Sequence, residues 1–385
     1  MEKFHQINRD MYVCFVDLQK AYDCVPRNKL WPVLSEYGVN GSLLNAIKSL
    51  YACSESAVRV CGELSDWFEV RNGLRQGCTI SPLIFIVYMD KIIKTAKLRG
   101  NVTLGGVTIS ALAYADDLAL FGGSEQELQN SVDDLHAACA EFGMTISSSK
   151  TQVMHVGKSR KQINCLLNGS VLEQVSEFKY LGCVFSEDGK FDKEFEHRRM
   201  NGNKVVAQLR SNVFNKNELS KETKLLIHRS IFRPTVLYGS ESWVDSNNLI
   251  NQIEVADMKV LRMISGVSRR DQWENRIRND SIRADLNVES IDEEARKARL
   301  RWFGHVQRMN DSRLPKLILN AESNGQRSRG RPRRRFLDTV KCDLIERGYE
   351  WNGEIQDLAL DRLRWRRDVV RMGPSLRNRP DAERH

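Results

Sequence analysis

The chain has 385 residues, enough for two or three domains with a sizeable core. Its longest uninterrupted apolar run, residues 83–89, is far too short to span a membrane, and its polar start is no signal peptide. The nine cysteines have no Cys-x-x-Cys spacing and mostly lie in apolar runs. We therefore expect an intracellular protein without membrane contact, with reduced core cysteines and no zinc site.

The net charge of +9 is concentrated in the last third of the chain. Residues 1–256 hold 29 basic and 29 acidic residues, whereas residues 257–385 hold 30 basic and 21 acidic ones. This asymmetry predicts a polyanionic partner for the C-terminal third.

Three carboxylates follow or interrupt strand-like apolar runs. Residues 11–16 form a continuous apolar run, and Asp17 follows it. Residues 111–121 read as a tight β-hairpin lying in a core, with Asp116 and Asp117 at its tip. Neighbouring carboxylates repel each other unless a cation compensates them, and hard oxygen ligands favour Mg²⁺ or Mn²⁺. Three carboxylates fit the ligand set of two-metal phosphoryl transfer. Their spacing alone does not distinguish among the many classes of metal-dependent phosphotransferase.

The segment between these strands is predicted to be mostly helical, and it ends in a loop that precedes Ser81 and Pro82. Those two residues suit the N-cap and first position of a buried helix, and a loop before a helix N-terminus can hold an anion. The predicted elements before that helix are two helices at 26–37 and 42–54, with a kink at Pro32, a hairpin at 57–70 and a glycine-bracketed loop at 73–77.

The residues around and after the carboxylate hairpin complete an α+β pattern. A Gly-Gly hairpin is predicted at 102–109, and Ser124 with Glu127 forms a capping box for a helix that ends at Gly143. A strand at 151–156 then closes an antiparallel sheet with helices on one face.

Several short motifs occur in the order and spacing found in reverse transcriptases. The chain resembles the non-LTR, LINE-type branch of that family through residues 18–23 and the Arg-Trp-Phe-Gly-His block at 301–305. The matching motifs are Phe15-Val-Asp17 with Ala21-Tyr22 (motif A), Gln76-Gly77 with Ser81-Pro82 (motif B), Tyr114-Ala-Asp-Asp117 (motif C), Lys150 (motif D) and residues 178–189 (motif E).

The resemblance implies a fold and a domain order. Residues 1–190 would form the α+β reverse-transcriptase palm, 191–266 a helical thumb, and 267–385 a basic, mostly helical, nucleic-acid-binding region. The fingers region that precedes motif A in the family would be absent from this chain.

The resemblance also implies an activity, namely RNA-directed DNA polymerisation from a primer 3′-hydroxyl on an RNA template with deoxynucleoside triphosphates. Asp17, Asp116 and Asp117 would hold two Mg²⁺ ions, for which Mn²⁺ could substitute. The alternative is a catalytically inactive fragment or remnant that only binds nucleic acid. The sequence leaves the oligomeric state open.

Further site residues follow from the same motifs. Tyr22, Gln76, Gly77 and Tyr114 would line the nucleotide pocket. Lys150 would protonate the leaving pyrophosphate, although an ordinary solvated lysine explains this residue equally well.

The C-terminal third contains two basic segments. Residues 289–309 have the pattern of an amphipathic helix, on which His305 is interpreted as structural. Six arginines follow between 327 and 335, where glycine and proline favour an irregular loop. We interpret this loop as a sequence-independent phosphate clamp, with an AT-hook at 329–332 as the alternative and nuclear localisation as a further role. The expected phosphate-binding residues are Arg296, Lys297, Arg299, Arg301 and Arg308 on the helix and Arg327, Arg329, Arg331, Arg333, Arg334 and Arg335 in the loop.

Overall fold

The computed structural model describes residues 1, 3–4, 9–157, 161–244, 247–321 and 334–371, with the side chains of 247 and 248 left out. The strands are β1 (Met11–Val16), β2 (Glu55–Ser56), β3 (Arg59–Val60), β4 (Glu63–Leu64), β5 (Phe68–Glu69), β6 (Val102–Leu104), β7 (Val107–Ile109), β8 (Ala111–Tyr114), β9 (Asp117–Gly122), β10 (Gln152–Val156), β11 (Leu166–Leu167), β12 (Ser170–Val171), β13 (Glu173–Gln174), β14 (Glu177–Tyr180) and β15 (Cys183–Ser186).

The helices of the first half are α1 (Ala21–Cys24), α2 (Arg27–Glu36), α3 (Gly41–Tyr51), α4 (Ser81–Ala96) and α5 (Glu125–Glu141). Those of the second half are α6 (Asp192–Leu209), α7 (Lys221–Ile227), α8 (Arg233–Val236), α9 (Asn247–Ser265), α10 (Arg269–Glu274), α11 (Asn279–Asp285), α12 (Ile291–Gln307), α13 (Leu314–Asn320), α14 (Phe336–Glu346), α15 (Gly353–Leu360) and α16 (Arg362–Arg364). Short π-helical segments occupy Arg210–Phe214, His228–Phe232 and Trp365–Arg371, and Ser240–Ser242 is a 3₁₀ turn.

A five-stranded sheet with the order β13-β10-β1-β9-β8 organises the first half of the chain. The central strand β1 pairs antiparallel with β9 and β10, and only β13 runs parallel to its neighbour. All six residues of β1 are buried, because both faces of the sheet are covered.

The two faces of β1 contribute alternate side chains to two cores. Tyr12, Cys14 and Val16 pack in the core that includes α4 and α5. Met11, Val13 and Phe15 pack on the opposite side with residues of β6, β9 and β10. The predicted α+β architecture, with an antiparallel sheet and its long helices on one face, is confirmed.

The carboxylate hairpin is present, but the prediction that it lies wholly in a core is wrong. Its second strand, β9, is largely buried next to β1, whereas β8 is the edge strand and is mostly exposed. Leu112 is 39% and Tyr114 66% exposed. The sequence could not separate the two, because both strands are equally apolar.

Two caps differ in detail from the sequence predictions. Ser81 is the first helical residue and not the N-cap, and its hydroxyl lies 2.9 Å from the hydroxyl of Tyr51. Ser124 does cap α5 through the N–H of Glu127, but the Glu127 carboxylate accepts from Gly123.

Helices make up most of the described chain after residue 191. One apolar core extends from Phe195 to Ala295, and a second one extends from Leu300 to Val370. The domain boundaries at 190 and 266 stay predictions. Within the described residues, no helix is both long and apolar enough to cross a membrane.

All nine cysteines are free thiols, as predicted. The prediction that they belong to the core holds only for Cys14, Cys139 and Cys165, and the other six are partly or fully exposed. An apolar sequence neighbourhood indicates burial only when the whole segment is covered on both sides.

Candidate active site

The turn between β8 and β9 places two carboxylates at one end of the central sheet. Tyr114 pairs with Asp117, which leaves Ala115 and Asp116 as the two turn residues. Ala115 has φ +55°, the positive value that a two-residue type II′ hairpin turn needs at its first position. A non-glycine residue in this region costs about 1–2 kcal/mol, so the surrounding strands hold the turn in a strained form.

Asp17 reaches the same end of the sheet from β1. The pairing of β1 with β9 runs to Val16 opposite Leu118, and the next position along this register brings Asp17 opposite Asp117. The backbone of Asp17 is fixed on its other side, because its N–H donates to the Thr151 hydroxyl and its carbonyl accepts from the N–H of Ser147.

The three carboxylates interact electrostatically. The pKa of Asp117 is raised, first by partial burial and then by the negative charges of Asp116 and Asp17. Oδ2 of Asp17 is buried and has no hydrogen-bond partner among the described residues, and Lys150 Nζ lies 3.6 Å from it. A buried, unsatisfied carboxylate oxygen beside two further carboxylates fits a divalent cation. Across the described ranges, no three His, Cys, Asp or Glu side chains already converge as a finished metal-binding cluster.

Tyr22 lies next to this carboxylate group. Its ring stacks on Phe85 of α4, with ring centroids 4.3 Å apart and planes 17° apart. The pKa of the Tyr22 hydroxyl is raised by partial burial and then by the charge of Asp116. The contact with Phe85 therefore fixes a half-exposed aromatic face close to the turn.

The loop 73–77 is attached to the segment that follows Asp17. The N–H of Leu74 donates to the carbonyl of Tyr22 at 2.8 Å, and Gln76 Nε2 donates to Asp23 Oδ1 at 3.3 Å. Gly77 has φ +80°, and a Cβ there would meet no atom within 4 Å. The structure therefore brings Gln76 close to the segment that carries Tyr22.

Arg27 anchors the loop 73–77 through hydrogen bonds, a role that no sequence motif predicts. Its guanidinium donates to the carbonyls of Gly73, Val70 and Tyr51 at 3.0, 2.8 and 3.2 Å. The guanidinium also lies over the Tyr51 ring, 5.0 Å from the ring centroid. No sequence signal marks this residue, because its acceptors are backbone atoms of distant segments.

The hairpin β14–β15, which corresponds to motif E, supports the opposite face of the carboxylate strands. Phe178 stacks on Phe15 with centroids 3.9 Å apart, and the Tyr180 hydroxyl donates to the Asp117 carbonyl at 3.3 Å. Phe178 and Tyr180 are alternate residues of one strand and so share a face, which is the signal that could have found them.

Two predicted site residues, Lys150 and Tyr114, have mostly exposed side chains. The Lys150 side chain is 71% exposed and lies 3.6 Å from Asp17 Oδ2, beyond hydrogen-bond distance. Tyr114 is 66% exposed on the edge strand β8.

The structure corrects the phosphate-binding prediction for Arg299. Arg299 is 2% exposed, and its guanidinium donates twice to Asp343 and once to the carbonyl of Trp243. Helical periodicity predicts Arg299 on an exposed basic face of α12, but α14 covers that side of the helix. Its neighbour Arg301 is exposed.

The remaining residues predicted to bind phosphate lie on α12 and in the arginine loop. Arg296, Lys297 and Arg308 are partly buried and bonded within the protein. Arg335 pairs with Asp338, and Arg334 also lies within the described chain. The predicted residues Arg327, Arg329, Arg331 and Arg333 lie outside the described residues.

The buried central strand and the neighbouring hairpin bring three carboxylates to one end of an antiparallel sheet. This arrangement defines a palm of the nucleotidyl-transfer class. The chain belongs to the reverse transcriptase family, since residues 1–185 match the family described as reverse transcriptase (RNA-dependent DNA polymerase). Its relatives include polymerases of non-LTR retrotransposons, as predicted.

Two relatives illustrate the extent of the similarity. The RNA-directed DNA polymerase from the mobile element jockey of Drosophila funebris is 24% identical over 87% of this chain and 36% of its own length. A transposon-derived protein of Caenorhabditis elegans is 24% identical over 68% of this chain and 95% of its own length. The chain thus spans about a third of the jockey polymerase. Among solved structures, apo telomerase from Candida tropicalis covers 81% of this chain and 52% of its own, at 10% identity and a TM-score of 0.39.

Proposed function

We propose that this chain extends a primer 3′-hydroxyl on an RNA template with deoxynucleoside triphosphates. The observation that carries the proposal is the placement of Asp17, Asp116 and Asp117 at one end of the sheet, where Asp17 Oδ2 has no hydrogen-bond partner among the described residues. Membership of the reverse transcriptase family supports the choice among metal-dependent phosphotransferases.

Asp17, Asp116 and Asp117 would hold two Mg²⁺ ions, with Mn²⁺ as a substitute. Bound cations would supply Lewis acidity to the attacking 3′-hydroxyl and compensate the charge of the leaving pyrophosphate. The strained turn at Ala115 fixes the direction in which Asp116 points, and the β1 register fixes Asp17 opposite Asp117. Asp117 begins β9, Asp116 lies in the two-residue turn before it, and Asp17 directly follows β1, so the paired strands position all three carboxylates.

Tyr22, Gln76, Gly77 and Tyr114 would form the nucleotide side of the site. Tyr22 offers an aromatic surface that Phe85 holds in place, against which the sugar of the incoming nucleotide would pack. Gln76 is within hydrogen-bond distance of Asp23 and is exposed, so its amide remains available to a nucleotide or template group. Gly77 leaves open space beside the loop, and Tyr114 projects from the edge strand.

Lys150 would act as the proton donor to pyrophosphate. Its ammonium lies 3.6 Å from Asp17 Oδ2 and is mostly exposed, so it can turn from the carboxylate towards a leaving group.

The C-terminal third would hold the template RNA and the DNA primer or target. Its excess of positive charge and the exposed Arg301 support this role, and Arg334, Arg335 and the arginines at 327, 329, 331 and 333 would add phosphate contacts. The same arginine segment would also serve as a nuclear localisation signal, which would bring the chain to a DNA target.

Primer extension on a primed homopolymer RNA tests the proposal, first with Mg²⁺ and then with Mn²⁺. The wild-type chain is compared with Asp116→Asn and with Asp66→Asn, which changes an exposed aspartate of the β4–β5 segment. We expect synthesis by the wild type and Asp66→Asn and none by Asp116→Asn, with equal far-UV circular dichroism for all three. Synthesis by Asp116→Asn would refute the site. A folded wild-type chain that binds the primed template without extending it would favour a non-catalytic, nucleic-acid-binding protein.

A further inference from the structure

An exposed tryptophan lies among arginines on the surface of the segment 268–280. Trp273 of α10 is 83% exposed, the highest exposure of any large apolar side chain within the described ranges. Tryptophan is normally among the more buried residue types, so a side chain this exposed indicates a contact surface.

The charges around Trp273 are unbalanced. Arg269, Arg276 and Arg278 are exposed and have no ion pair among the described residues. Among the acidic side chains of the same segment, Asp271 accepts from the N–H of Ser268, Glu274 pairs with Arg270, and Asp280 pairs with Arg283. Four arginines against three acidic residues leave residues 268–280 with a net charge of +1, and the three arginines that have no ion pair within the described chain lie three to five residues from Trp273 along the sequence.

The surface is rigidly built. Gln272 donates to the carbonyl of Ile277 at 3.2 Å and to Asn279 Oδ1 at 3.1 Å, and it accepts from Arg262 at 3.3 Å. These bonds close the turn between α10 and α11. The arginines on this turn are therefore held near Trp273 without a long flexible linker.

The backbone of the same turn is strained. Arg276 has φ +51°, a conformation that is costly for a residue with a Cβ, and its side chain projects into solvent. The pKa of Arg262, whose guanidinium donates to Gln272 beneath the turn, is lowered by burial and then by the charge of Arg269.

We propose that Trp273, Arg269, Arg276 and Arg278 form a binding site for single-stranded nucleic acid, in which a base stacks on the indole and the arginines contact the flanking phosphates. The indole face is available only to an unstacked base, so the site prefers a single strand over a duplex. Arginine suits this binding site for two reasons, because its guanidinium both binds phosphate and stacks on aromatic faces. The partner class rests on the proposed function, whereas the site is separate from the carboxylates.

The test is binding of the full chain to fluorescein-labelled (dT)15, (rU)15 and a 15-base-pair duplex by fluorescence anisotropy, in metal-free buffer across a salt series. Metal-free conditions separate this site from polymerisation, so an inactive polymerase can still bind, and an active one can lack the site. Trp273→Ala should weaken single-strand affinity by about five- to 150-fold, the range expected from loss of one stacked base. Trp273→Phe should retain most of the affinity.

The matched control is Trp67→Ala. Trp67 is 66% exposed but is flanked by the acidic residues Glu63, Asp66 and Glu69, so its loss should leave affinity unchanged. Arg276→Gln and Arg278→Gln should each lower the slope of log affinity against log salt by about 0.7. Arg270→Gln should change it less, because Glu274 already neutralises that guanidinium.

Unchanged single-strand affinity in Trp273→Ala would overturn the proposal, and so would an equal loss for the duplex. Comparison of (dT)15 with (rU)15 then shows whether the site takes DNA, RNA or both. All of these side chains are exposed, and thermal unfolding of each variant at the wild-type temperature verifies that folding is intact.

Discussion

The carbonyl oxygen of Asp23 occupies the space into which a side chain at Gly73 would extend. A Cβ added to Gly73 would lie 2.6 Å from that oxygen, and the glycine has φ +82°. The N–H of Gly73 donates to the carbonyl of Val25, so the loop cannot simply move away. Loop 73–77 and the segment after Asp17 are therefore in contact only because residue 73 has no side chain.

Gly73→Ala should accordingly lower the free energy of unfolding by well over the 1–2 kcal/mol that a positive φ alone costs. It should also reduce primer extension, because the loop that carries Gln76 must shift. Denaturant unfolding followed by circular dichroism measures the first effect.

Gly77→Ala is the matched control for the substitution at residue 73. Gly77 has nearly the same φ, +80°, but its Cβ would meet nothing within 4 Å. We expect a loss of about 1–2 kcal/mol in this variant. Equal losses at the two positions would show that contact with Asp23 does not matter.

The strands and the carboxylate-bearing turn could be predicted from sequence because their patterns are local. Residues 11–16 are buried on both faces and read as an unbroken apolar run, and the pair Asp116 and Asp117 interrupts another such run. These patterns depend only on the side-chain periodicity of a strand.

Contacts between distant segments could not be predicted in the same way. Arg27 binds carbonyls of residues 51, 70 and 73, and backbone carbonyls carry no residue identity. Arg299 and Arg301 look alike in sequence, and only the packing of α14 against α12 separates the buried arginine from the exposed one.

Mg²⁺ should stabilise the protein in a pH-dependent way through Asp117. Its raised pKa means that, without metal, Asp117 contributes stability that is present at acid pH and is lost as pH rises through the folded-state pKa. A bound cation would compensate the repulsion that destabilises ionised Asp117, and protons compete with the cation for the carboxylate as pH falls. The Mg²⁺-induced rise in melting temperature should therefore be larger at pH 8 than at pH 5.

Asp117→Asn tests the assignment of this effect. The variant removes one repelling charge, so it should melt at a higher temperature than the wild type in metal-free buffer near neutral pH, and its response to Mg²⁺ should be smaller. Differential scanning calorimetry with EDTA and with added Mg²⁺ measures both. A wild-type response to Mg²⁺ in the variant would argue against Asp117 as a ligand.

His155 should make the protein less stable below about pH 6.5. Its ring is 1% exposed in β10, and its pKa is lowered by burial and by Lys161, an effect that Asp10 and Glu187 only partly offset. The unfolded chain therefore takes up a proton at about pH 6.5 that the folded chain refuses. Stability present above that pH is lost as pH falls through the folded-state pKa.

The measurement is the free energy of unfolding at intervals from pH 7.5 to 5.5. His155→Gln should flatten the profile in this range even if it lowers stability overall, because the titrating ring is gone. His305→Gln is the control, since it makes the same change at an exposed position of α12 and leaves the buried His155 ring in place. A profile in His155→Gln that is as steep as that of the wild type would assign the acid sensitivity to other groups.

Arg299 and Arg301 should separate stability from nucleic-acid binding. Arg299 and Asp343 form a buried pair 2.7 Å apart, so Arg299→Ala leaves the buried carboxylate with the longer bond to Arg296, at 3.3 Å, as its remaining charge partner and should cost up to about 3–5 kcal/mol. Arg301→Ala removes an exposed cation and should change the free energy of unfolding by no more than about 0.5 kcal/mol. Unfolding of both variants in urea measures these costs.

Binding should show the reverse order at a temperature where both variants are folded. Arg301→Ala should make the salt dependence of affinity for a primed RNA template shallower, since one phosphate contact fewer releases counterions. Arg299→Ala should keep the wild-type slope, because its guanidinium faces Asp343 and the Trp243 carbonyl and not solvent. A shallower slope in folded Arg299→Ala would indicate that Arg299 does contact phosphate, contrary to what its burial indicates.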